Sequence, residues 1–271
     1  MAWINGKSQD WLTASDRAVQ FGDGCFTTAR VLNGAIIALD AHLVRLQAGC
    51  QRLRIADVDW STLQKEMREV AAPCSDGVIK VIISRGQGGR GYSPAGCRQP
   101  TRLLSLSPYP AHYHTLRQRG CRLALSSVRL ARTPLLAGIK HLNRLEQVLI
   151  RAELEQSDAD EALVLDTEGS LVECCAANLF WRRNNDVFTP DLSHSGVEGI
   201  QRQQVIRLLK AQGVTTHIVT APPEILADAD EVIITNALMP VLPVNQIETW
   251  RYSSRQLFDQ LAATANNMDI S

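Results

Sequence analysis

The stretch Leu135-Leu136-Ala137-Gly138-Ile139-Lys140-His141-Leu142-Asn143-Arg144 places one lysine directly after an apolar run and a glycine. Apolar residues then recur at helical spacing, at Leu142, Leu145, Val148, Leu149 and Ala152. This pattern predicts that Lys140 stands at a loop-to-helix junction where the chain enters a packed interior. A lysine withdrawn from water has a lowered pKa and becomes a nucleophile that can form a Schiff base. The alternative is a surface lysine at the start of a helix, and this stretch alone leaves both open.

Composition and charge argue against several classes of protein. The chain has 271 residues, 45% of them hydrophobic and 21% charged, which is typical of a globular protein with one large or two modest domains. Its 28 basic residues balance 28 acidic ones, so a dedicated nucleic-acid or membrane-surface binder is not expected. No apolar run approaches the roughly 20 residues of a membrane helix, and the N-terminus lacks the pattern of a secretory signal.

The seven cysteines show no spacing typical of a zinc site or a disulfide framework. Cys174 and Cys175 are adjacent and lie in an apolar run, which is typical of buried thiols. We therefore predict reduced, mostly buried cysteines, no metal site and a cytoplasmic protein.

Residues 3–39 are predicted to form β-structure. Asn33-Gly34, between Phe26–Leu32 and Ala35–Leu39, is the strongest short signal for a hairpin. Asp40 is then predicted to N-cap a helix, whose inward face carries Leu43, Leu46, Cys50 and Leu53. Arg45 lies off that face, where a solvated charge is the alternative to a binding role.

Val78–Ser84 is predicted as a buried strand that runs into the loop Arg85-Gly86-Gln87-Gly88-Gly89-Arg90-Gly91-Tyr92-Ser93-Pro94. Four glycines in six positions predict a mobile loop. Its two arginines and its tyrosine suit a lid that binds carboxylates, because guanidinium groups bind them in a bidentate manner. A plain flexible turn is the alternative.

Two prolines are predicted to divide the chain. Pro108-Tyr109-Pro110 follows a predicted strand and makes the next stretch stiff and extended. We therefore predict an N-terminal domain over 1–107, a linker over 108–118 and a C-terminal domain over 119–271. The second half is predicted to contain strands and helices without strict alternation: strands at Cys121–Leu130, Leu163–Leu165, Leu171–Cys175, Ala177–Arg182, Val187–Thr189 and Glu231–Ile234, and helices ending near 156, over 199–211 and near 253–264. The four short strands between 163 and 189 are interpreted as a meander, and the whole as an α+β fold.

Three polar features stand out in the second half. Glu173 interrupts an apolar strand, where an ionised carboxylate is costly unless it meets a positive partner or faces water at a sheet edge. Asn178 would point to the opposite face of a straight strand, although a bulge would bring the two together. Gly199-Ile200 at a helix start and Thr235-Asn236 at a strand end are candidate anion-binding sites.

The run from Glu173 to Arg202 resembles the signature of the fold-type IV pyridoxal-phosphate enzymes. The matching parts are Glu173, Ala177-Asn178-Leu179-Phe180, Val187-Phe188-Thr189 and Val197-Glu198-Gly199-Ile200-Gln201-Arg202. Gly138-Ile139-Lys140, Phe21-Gly22-Asp23-Gly24 and His42-Leu43-Val44-Arg45-Leu46 extend the resemblance over nearly the whole chain. The resemblance implies a smaller N-terminal α/β domain, a larger C-terminal domain with a β-barrel-like sheet, and a homodimer. The apolar residues Trp3, Phe21 and Phe26 give the homodimer faint support.

The resemblance also assigns roles to residues. Lys140 would be the Schiff-base lysine of pyridoxal 5′-phosphate and Glu173 the partner of its protonated pyridine nitrogen. The phosphate would be held by Arg45, by the N–H of Ile200 after Gly199, and by Thr235-Asn236, with Asn178 in support. The substrate's carboxylates would meet a second group of residues, which comprises Arg90, Tyr92, Arg30 and Tyr109.

Within that family, three stretches are similar to the aminodeoxychorismate lyases of folate synthesis: the loop from Arg85, Phe26-Thr27-Thr28-Ala29-Arg30, and Lys140 to Val148. This similarity implies conversion of 4-amino-4-deoxychorismate to 4-aminobenzoate and pyruvate, with Lys140 as base and acid. Many relatives carry glutamate at Thr27, a departure that the sequence does not explain. The alternatives are a D-amino-acid or branched-chain aminotransferase of the same fold, and a cofactor-binding protein without turnover.

Overall fold

The computed structural model describes residues 2–268, and side chains as far as residue 263. The chain divides into two compact units. The N-terminal unit contains the chain up to Tyr109 together with Ile139–Asn143, and the C-terminal unit contains Pro110–Gly138 and the chain from Arg144 onward. The boundary between Tyr109 and Pro110 lies within the stretch predicted as a linker, whereas the return of Ile139–Asn143 to the N-terminal unit was not predicted.

The N-terminal unit is built on an antiparallel sheet of six strands in the order β2-β1-β6-β5-β3-β4. The strands are β1 (Ala2–Ile4), β2 (Lys7–Ser8), β3 (Gly24–Leu32), β4 (Ala35–Ile36), β5 (Asp76–Ser84) and β6 (Thr101–Pro108). Asn33 and Gly34 connect β3 to β4 with φ values of 50° and 78°. The predicted hairpin is therefore confirmed, and its turn uses the left-handed backbone that asparagine and glycine adopt most readily.

Three helices belong to this unit: α1 (Arg17–Phe21), α2 (Leu39–Leu53) and α3 (Trp60–Ala71). Alternate residues of β3, such as Cys25 and Ala29, are buried in one core with Leu46 of α2, because successive strand residues point to opposite faces. The residue before α2 is Ala38, which has left-handed backbone and provides no side-chain cap. The predicted N-cap at Asp40 is therefore wrong. Asp40 lies in the first turn, where its negative charge interacts favourably with the helix dipole.

The segment 139–143 lies beside β3, to which it is joined by an isolated bridge between Cys25 and His141. The N–H of Phe26 donates to the Lys140 carbonyl at 2.9 Å, and the N–H of Leu142 donates to the Gly24 carbonyl at 3.0 Å. Ile139 is buried in the same core as β3. Burial of this one aliphatic side chain, together with two main-chain bonds, accounts for the return of the chain to the N-terminal unit.

The C-terminal unit contains a nine-stranded sheet in the order β12-β11-β10-β13-β14-β7-β8-β9, with β15 paired to β14. The strands are β7 (Cys121–Leu130), β8 (Glu161–Asp166), β9 (Leu171–Cys174), β10 (Asn178–Arg183), β11 (Asp186–Pro190), β12 (Thr216–Val219), β13 (Glu231–Thr235), β14 (Leu242–Ile247) and β15 (Trp250–Arg251). The predicted strands are present, but the predicted meander is wrong. β8 pairs with β9 and β10 with β11, whereas β9 lies at one end of the sheet, far from β10 in the strand order.

Four α-helices belong to this unit: α4 (His112–Arg119), α5 (Leu145–Leu154), α6 (Ile200–Ala211) and α7 (Gln256–Met268), besides a 3₁₀ helix at Pro223–Asp228. Helix α4 occupies most of the stretch predicted as a linker over 108–118. That prediction was wrong because a proline constrains only itself and the residue before it, so Pro110 leaves the following residues free to form a helix. None of the helices within residues 2–268 is long and apolar enough to cross a membrane.

The apolar stripe predicted around the start of α5 is largely exposed. Leu145 is 78% exposed, and Val148 and Leu149 are 60% and 59% exposed. The buried residues of α5 are instead Ile150 and Leu154. Helical spacing identified the stripe, but it did not identify which face of α5 packs on the unit's own core.

The cysteines are free thiols, as predicted, and four of the seven are buried: Cys25, Cys50, Cys121 and Cys174. The sulfur atoms of Cys25 and Cys50 are 3.8 Å apart in the core between β3 and α2. The hydrogen bond with Cys25 and burial raise the pKa of the Cys50 thiol far above its usual value. These two residues therefore pack as small apolar side chains.

Candidate active site

Lys140 is the central candidate of the N-terminal unit. It lies in the segment beside β3, five residues before α5 begins at Leu145, so neither the predicted loop-to-helix junction nor the alternative of a helix start holds. The residue is half-buried, and its Nζ lies 4.7 Å from the centroid of the Phe26 ring. The main-chain bonds to β3 thus fix the position from which the Lys140 side chain extends.

A second amine lies on the same aromatic ring. Lys80 of β5 is exposed, and its Nζ is 4.9 Å from the centroid of the Phe26 ring. Lys80 is the register partner of Thr28, two residues beyond Phe26 on β3 and therefore on the same sheet face. Sequence analysis did not select Lys80. The available signal was a lysine at the centre of an otherwise apolar strand, Val78–Ser84.

Arg30 and Tyr109, both predicted to meet substrate, contact each other. The guanidinium carbon of Arg30 lies 4.3 Å from the centroid of the Tyr109 ring. Arg30 Nε also lies 3.4 Å from Asp76 Oδ1. Arg30 is therefore already engaged by an aromatic face and a carboxylate, and Lys80 is the more accessible cation of the two.

Arg45 stands one helical turn after His42 on α2. His42 is buried, and its Nδ1 lies 2.6 Å from Thr27 Oγ1. Burial and the nearby charge of Arg45 lower the pKa of His42 to about 3, so the imidazole is neutral at pH 7. Thr27 thus supplies the hydrogen-bond partner of a buried neutral histidine, which gives a physical reason for threonine at this position.

The predicted carboxylate-binding residues of the loop after β5 differ in their surroundings. Arg85 donates from Nε to Asp23 at 2.7 Å and to the carbonyls of Leu53 and Arg54, each at 2.7 Å. Arg85 is therefore an internal structural residue, and the prediction that both arginines of the loop serve a lid is wrong for it. Arg90 and Tyr92 remain exposed, the latter to 87%.

Glu173 is the central candidate of the C-terminal unit. It is 5% exposed at the edge strand β9, so the alternative of a carboxylate facing water is wrong. Its Oε2 accepts from the Val197 N–H at 2.9 Å and from Asn178 Nδ2 at 3.3 Å. The turn between β9 and β10, with the Cys174 N–H donating to the Ala177 carbonyl, brings Glu173 and Asn178 together.

Two glycines allow this close packing. A Cβ at Gly199 would overlap Asn178 Oδ1 and lie 3.2 Å from Asn178 Cγ. A Cβ at Gly196 would lie 3.3 Å from Glu173 Cδ and closer still to Val172. Glycine at these two positions therefore lets the turn before α6 approach the carboxylate and its supporting amide.

Thr235 and the start of α6 have unused hydrogen-bonding capacity. Thr235 pairs with Asn178 across the β10–β13 register, is fully buried, and its Oγ1 has no hydrogen-bond partner in the part of the chain that the structure describes. Helix α6 begins after Gly199, which offers no side-chain cap. A free hydroxyl and an uncapped helix N-terminus are groups that bind a phosphate.

Asn236 instead organises the turn after β13. Its Oδ1 accepts from the N–H groups of Leu238 and Met239, each at 2.9 Å, and its Nδ2 donates to the Ala176 carbonyl at 3.0 Å. These bonds engage both ends of the Asn236 amide. The predicted Thr235-Asn236 pair therefore offers its threonine side chain, and Asn236 supports it.

Arg202 and Arg144, to which the prediction gave no role, both interact electrostatically with Glu173. Arg202 is buried on α6 and donates to the Pro190 carbonyl at 2.9 Å. Burial lowers the pKa of Arg202, and the nearby carboxylates of Glu198, Asp191 and Glu173 partly offset this effect. Burial also lowers the pKa of Arg144, against the influence of Glu173 and Glu146. The signal for Arg202 was its place at the end of the family signature.

The predicted site residues divide between the units. The N-terminal unit holds Lys140, Arg45, Arg90, Tyr92, Arg30 and Tyr109, and the C-terminal unit holds Glu173, Asn178, Gly199, Ile200, Thr235 and Asn236. Within the C-terminal unit, an orphaned hydroxyl, an uncapped helix start and a buried carboxylate lie on neighbouring elements. This donor set fits an aromatic cofactor that carries a phosphate and a ring nitrogen.

Comparison with known proteins agrees with this description. The family model for class IV amino-transferases matches residues 24–247, and the chain belongs to this family. Pyridoxal 5′-phosphate, the cofactor expected from the resemblance, is the cofactor of the family. The interpretation as a cofactor-binding protein without turnover is therefore not supported, and the chain is an enzyme.

Individual relatives show which members of the family this chain is similar to. The aminodeoxychorismate lyase of Vibrio harveyi is 39% identical over 91% of each chain. The crystal structure of 4-amino-4-deoxychorismate lyase from Pseudomonas aeruginosa is 37% identical over 98% of both chains, with a TM-score of 0.94. The D-alanine aminotransferase of Bacillus licheniformis is 26% identical over 89% of this chain and 85% of its own. The predicted fold-type IV α+β fold is confirmed.

Proposed function

We propose that this enzyme converts 4-amino-4-deoxychorismate to 4-aminobenzoate and pyruvate. The observation that carries the proposal is the pair of amines on the Phe26 ring, Lys140 at 4.7 Å and Lys80 at 4.9 Å. One amine can serve as the base and the other can bind a carboxylate of a dicarboxylic substrate. Identity of 37–39% to two lyases over nearly the whole chain supports the same reaction.

Lys140 has two tasks in this proposal. It would hold the cofactor, and its amine takes the proton from the substrate's ring carbon that bears nitrogen. The same amine returns a proton to the departing enolpyruvyl group, which leaves as pyruvate. Bound pyridoxal 5′-phosphate supplies the electron-withdrawing ring that makes the first proton acidic.

The C-terminal unit provides the fixed electrostatic partners. Glu173 holds the proton on the pyridine nitrogen, because its Oε2 is already kept in position by Val197 and Asn178. The phosphate is bound by Thr235 Oγ1 and the N–H of Ile200. Arg45 would add a positive charge for the phosphate, as the family resemblance implies.

The substrate's two carboxylates distinguish it from most amino acids. We assign one to Lys80 and the other to Arg90 with Tyr92. Arg30, which was also predicted for this role, contacts the Tyr109 ring and Asp76 and is less accessible than Lys80.

The rival function is transamination of D- or branched-chain amino acids, favoured by the relationship to D-alanine aminotransferase. Both reactions use Lys140 and Glu173, and they differ in whether a keto-acid acceptor is needed. Purified enzyme should release pyruvate and 4-aminobenzoate in equal amounts from 4-amino-4-deoxychorismate without any keto acid. Lys140→Ala should abolish this release and the absorbance band of the lysine-bound cofactor. Turnover that depends on an added keto acid would instead establish the aminotransferase.

A homodimer remains part of the proposal. Its support is the exposed apolar surface of α5, formed by Leu145, Val148 and Leu149, since a contiguous apolar stripe commonly marks a protein–protein contact. The residues first considered, Trp3 and Phe26, are engaged within the N-terminal unit. Light scattering after size exclusion should give twice the 29.9 kDa chain mass, and Leu149→Glu should give one. The cytoplasmic location stays a prediction.

A further inference from the structure

Arg17 of α1 is a buried arginine to which the chemistry above gives no role. It is 4% exposed, and its Nε donates to Asp23 Oδ2 at 2.8 Å. Its Nη1 donates to the carbonyls of Gly91 at 3.0 Å and Ser93 at 3.3 Å, and its Nη2 donates to the Tyr92 carbonyl at 3.3 Å. One guanidinium therefore binds three consecutive carbonyls of the loop that carries Arg90 and Tyr92.

Other hydrogen bonds of this loop are the Ser93 N–H to the Arg90 carbonyl at 3.1 Å and, at its start, Ser15 Oγ to Gln87 Oε1 at 3.1 Å and the Gly86 N–H to Ser84 Oγ at 3.0 Å. Its four glycines all have positive φ, at Gly86, Gly88, Gly89 and Gly91, and such a sequence is expected to be mobile when unsupported. The Tyr92 side chain is exposed, and its ring contacts Phe21 at a centroid distance of 5.5 Å. Arg17 lies 4.7 Å from the centroid of that same Phe21 ring. Arg17 thus contacts Tyr92 directly through its carbonyl and indirectly through the Phe21 ring.

The residue before Arg17 fixes the base of the loop. Asp16 is fully buried, and its carboxylate accepts from Ser84 Oγ at 2.7 Å and from Thr101 Oγ1 at 2.6 Å. The Arg17 N–H donates to the Gly86 carbonyl at 2.9 Å. Because Asp16 itself is held so firmly, Arg17 projects from a rigid position and can impose that position on the loop.

We propose that Arg17 is the positioning residue of the substrate-binding loop. It holds Arg90 and Tyr92 in place before substrate arrives, so that the loop is a preformed part of the site and not a lid that closes. A loop held in advance need not be ordered when the substrate binds, which favours affinity. This inference rests on the proposed function for the identity of the substrate, and not for the state of the loop.

Arg85 provides a matched control. It binds the same carboxylate, with Nε to Asp23 Oδ2 at 2.7 Å and Nη2 to Asp23 Oδ1 at 3.0 Å. It also donates to two carbonyls, those of Leu53 and Arg54 at the end of α2. Arg17→Lys and Arg85→Lys therefore remove the same kinds of bond near the same aspartate, and only the first removes bonds to the loop tip.

The test compares holoenzymes of wild type, Arg17→Lys, Arg85→Lys and Gly89→Ala. The last of these places a Cβ against the Ser93 carbonyl and 3.2 Å from Arg17 Nη1, so it disturbs the contact between Arg17 and the loop while keeping the arginine. We expect Arg17→Lys and Gly89→Ala to raise KM for 4-amino-4-deoxychorismate about tenfold, with kcat within about twofold and the cofactor spectrum unchanged. Trypsin should cleave after Arg90 faster in both variants. Arg85→Lys should lower the melting temperature but leave KM and Arg90 cleavage as in wild type.

Two results would overturn the proposal. One is an equal rise of KM in Arg17→Lys and Arg85→Lys, which would make the effect one of general stability. The other is faster cleavage at Arg90 without a change in KM, which would make loop position irrelevant to binding. If wild type proves to be an aminotransferase, the proposed function fails but the role of Arg17 can still be tested. The KM values of the same variants are then compared for the amino-acid substrate, and the expected rates of cleavage at Arg90 do not change.

Discussion

Replacing Gly199 by alanine should displace Asn178 and weaken the support of Glu173. Gly199 has φ −66° and ψ 137°, which alanine adopts without strain, so the backbone itself tolerates the change. The new Cβ would overlap Asn178 Oδ1, while Arg202 Cβ would lie at an ordinary 3.5 Å. The destabilisation therefore arises from the contact with the Asn178 side chain, and truncating Asn178 to alanine should remove most of it.

The magnitude follows from the bonds that Asn178 makes. Its Nδ2 donates to the Val197 carbonyl at 2.9 Å and to Glu173 at 3.3 Å. Moving the amide relieves the overlap but loses about 1 kcal/mol for each of its two hydrogen bonds, so the clash costs about 2–3 kcal/mol, within the usual range for overpacking a buried site. Replacing an N-cap glycine by alanine adds about 1 kcal/mol. Gly199→Ala should thus destabilise wild type by about 3–4 kcal/mol and an Asn178→Ala background by only about 1 kcal/mol.

The assay is a double-mutant cycle on the apo-protein, with the free energy of unfolding measured by urea titration. We expect a coupling energy of about 2–3 kcal/mol between the two positions. Titration with pyridoxal 5′-phosphate should show weaker binding in Gly199→Ala as well. A coupling below about 0.5 kcal/mol would mean that the two changes add independently, and would refute the assignment of Asn178 to the Gly199 contact.

Four further outcomes are expected. Glu173→Gln should retain the cofactor but lower kcat about 100-fold, because the charge that keeps the pyridine nitrogen protonated is lost; an unchanged rate would place Glu173 outside the site. Lys80→Met should raise KM about tenfold with little change in kcat, and Lys65→Met, at an exposed residue of α3, should change neither. The pKa of His42 is about 3 in the folded protein against 6.5 in the unfolded chain, so acid protonates the unfolded chain first. Wild type should therefore lose about 1.4 kcal/mol of unfolding free energy per pH unit as the pH falls from 6.5 to 3, a loss that urea titrations of His42→Gln should lack. Thr235→Val should leave the apo-protein equally or more stable and weaken binding of pyridoxal 5′-phosphate, as measured by titration of its absorbance.

Features with a local cause were predictable from the sequence. The Asn33-Gly34 hairpin depends on two residues that adopt positive φ, and the strand Val78–Ser84 depends on a continuous apolar run. The start of α6 was predictable from Gly199, which has no side chain to compete for the first N–H groups of the helix. In each case the information lies within a few neighbouring residues.

Features that depend on distant partners were not predictable. Arg30 was assigned to substrate by the family resemblance, and its carboxylate partner Asp76 comes from another strand, β5. Lys80 was overlooked because nothing in its own strand indicates that Phe26 and Lys140 lie beside it. The apolar stripe at Leu145 was read as buried because periodicity shows that a stripe exists and not which neighbour covers it.

Glu173 and Thr235 illustrate two opposite ways of preparing a binding site. The Glu173 carboxylate receives its hydrogen bonds from Val197 and Asn178 within the folded C-terminal unit, so folding itself sets its orientation and no ordering remains for the bound state. Thr235 Oγ1 is buried without a partner among residues 2–263, a deficit of about 1–3 kcal/mol for the apo-protein. A ligand oxygen at that position would recover this deficit on binding. The unsatisfied hydroxyl of Thr235 thus contributes to affinity for a phosphate-bearing cofactor. The satisfied carboxylate of Glu173 contributes to the chemistry at the ring nitrogen.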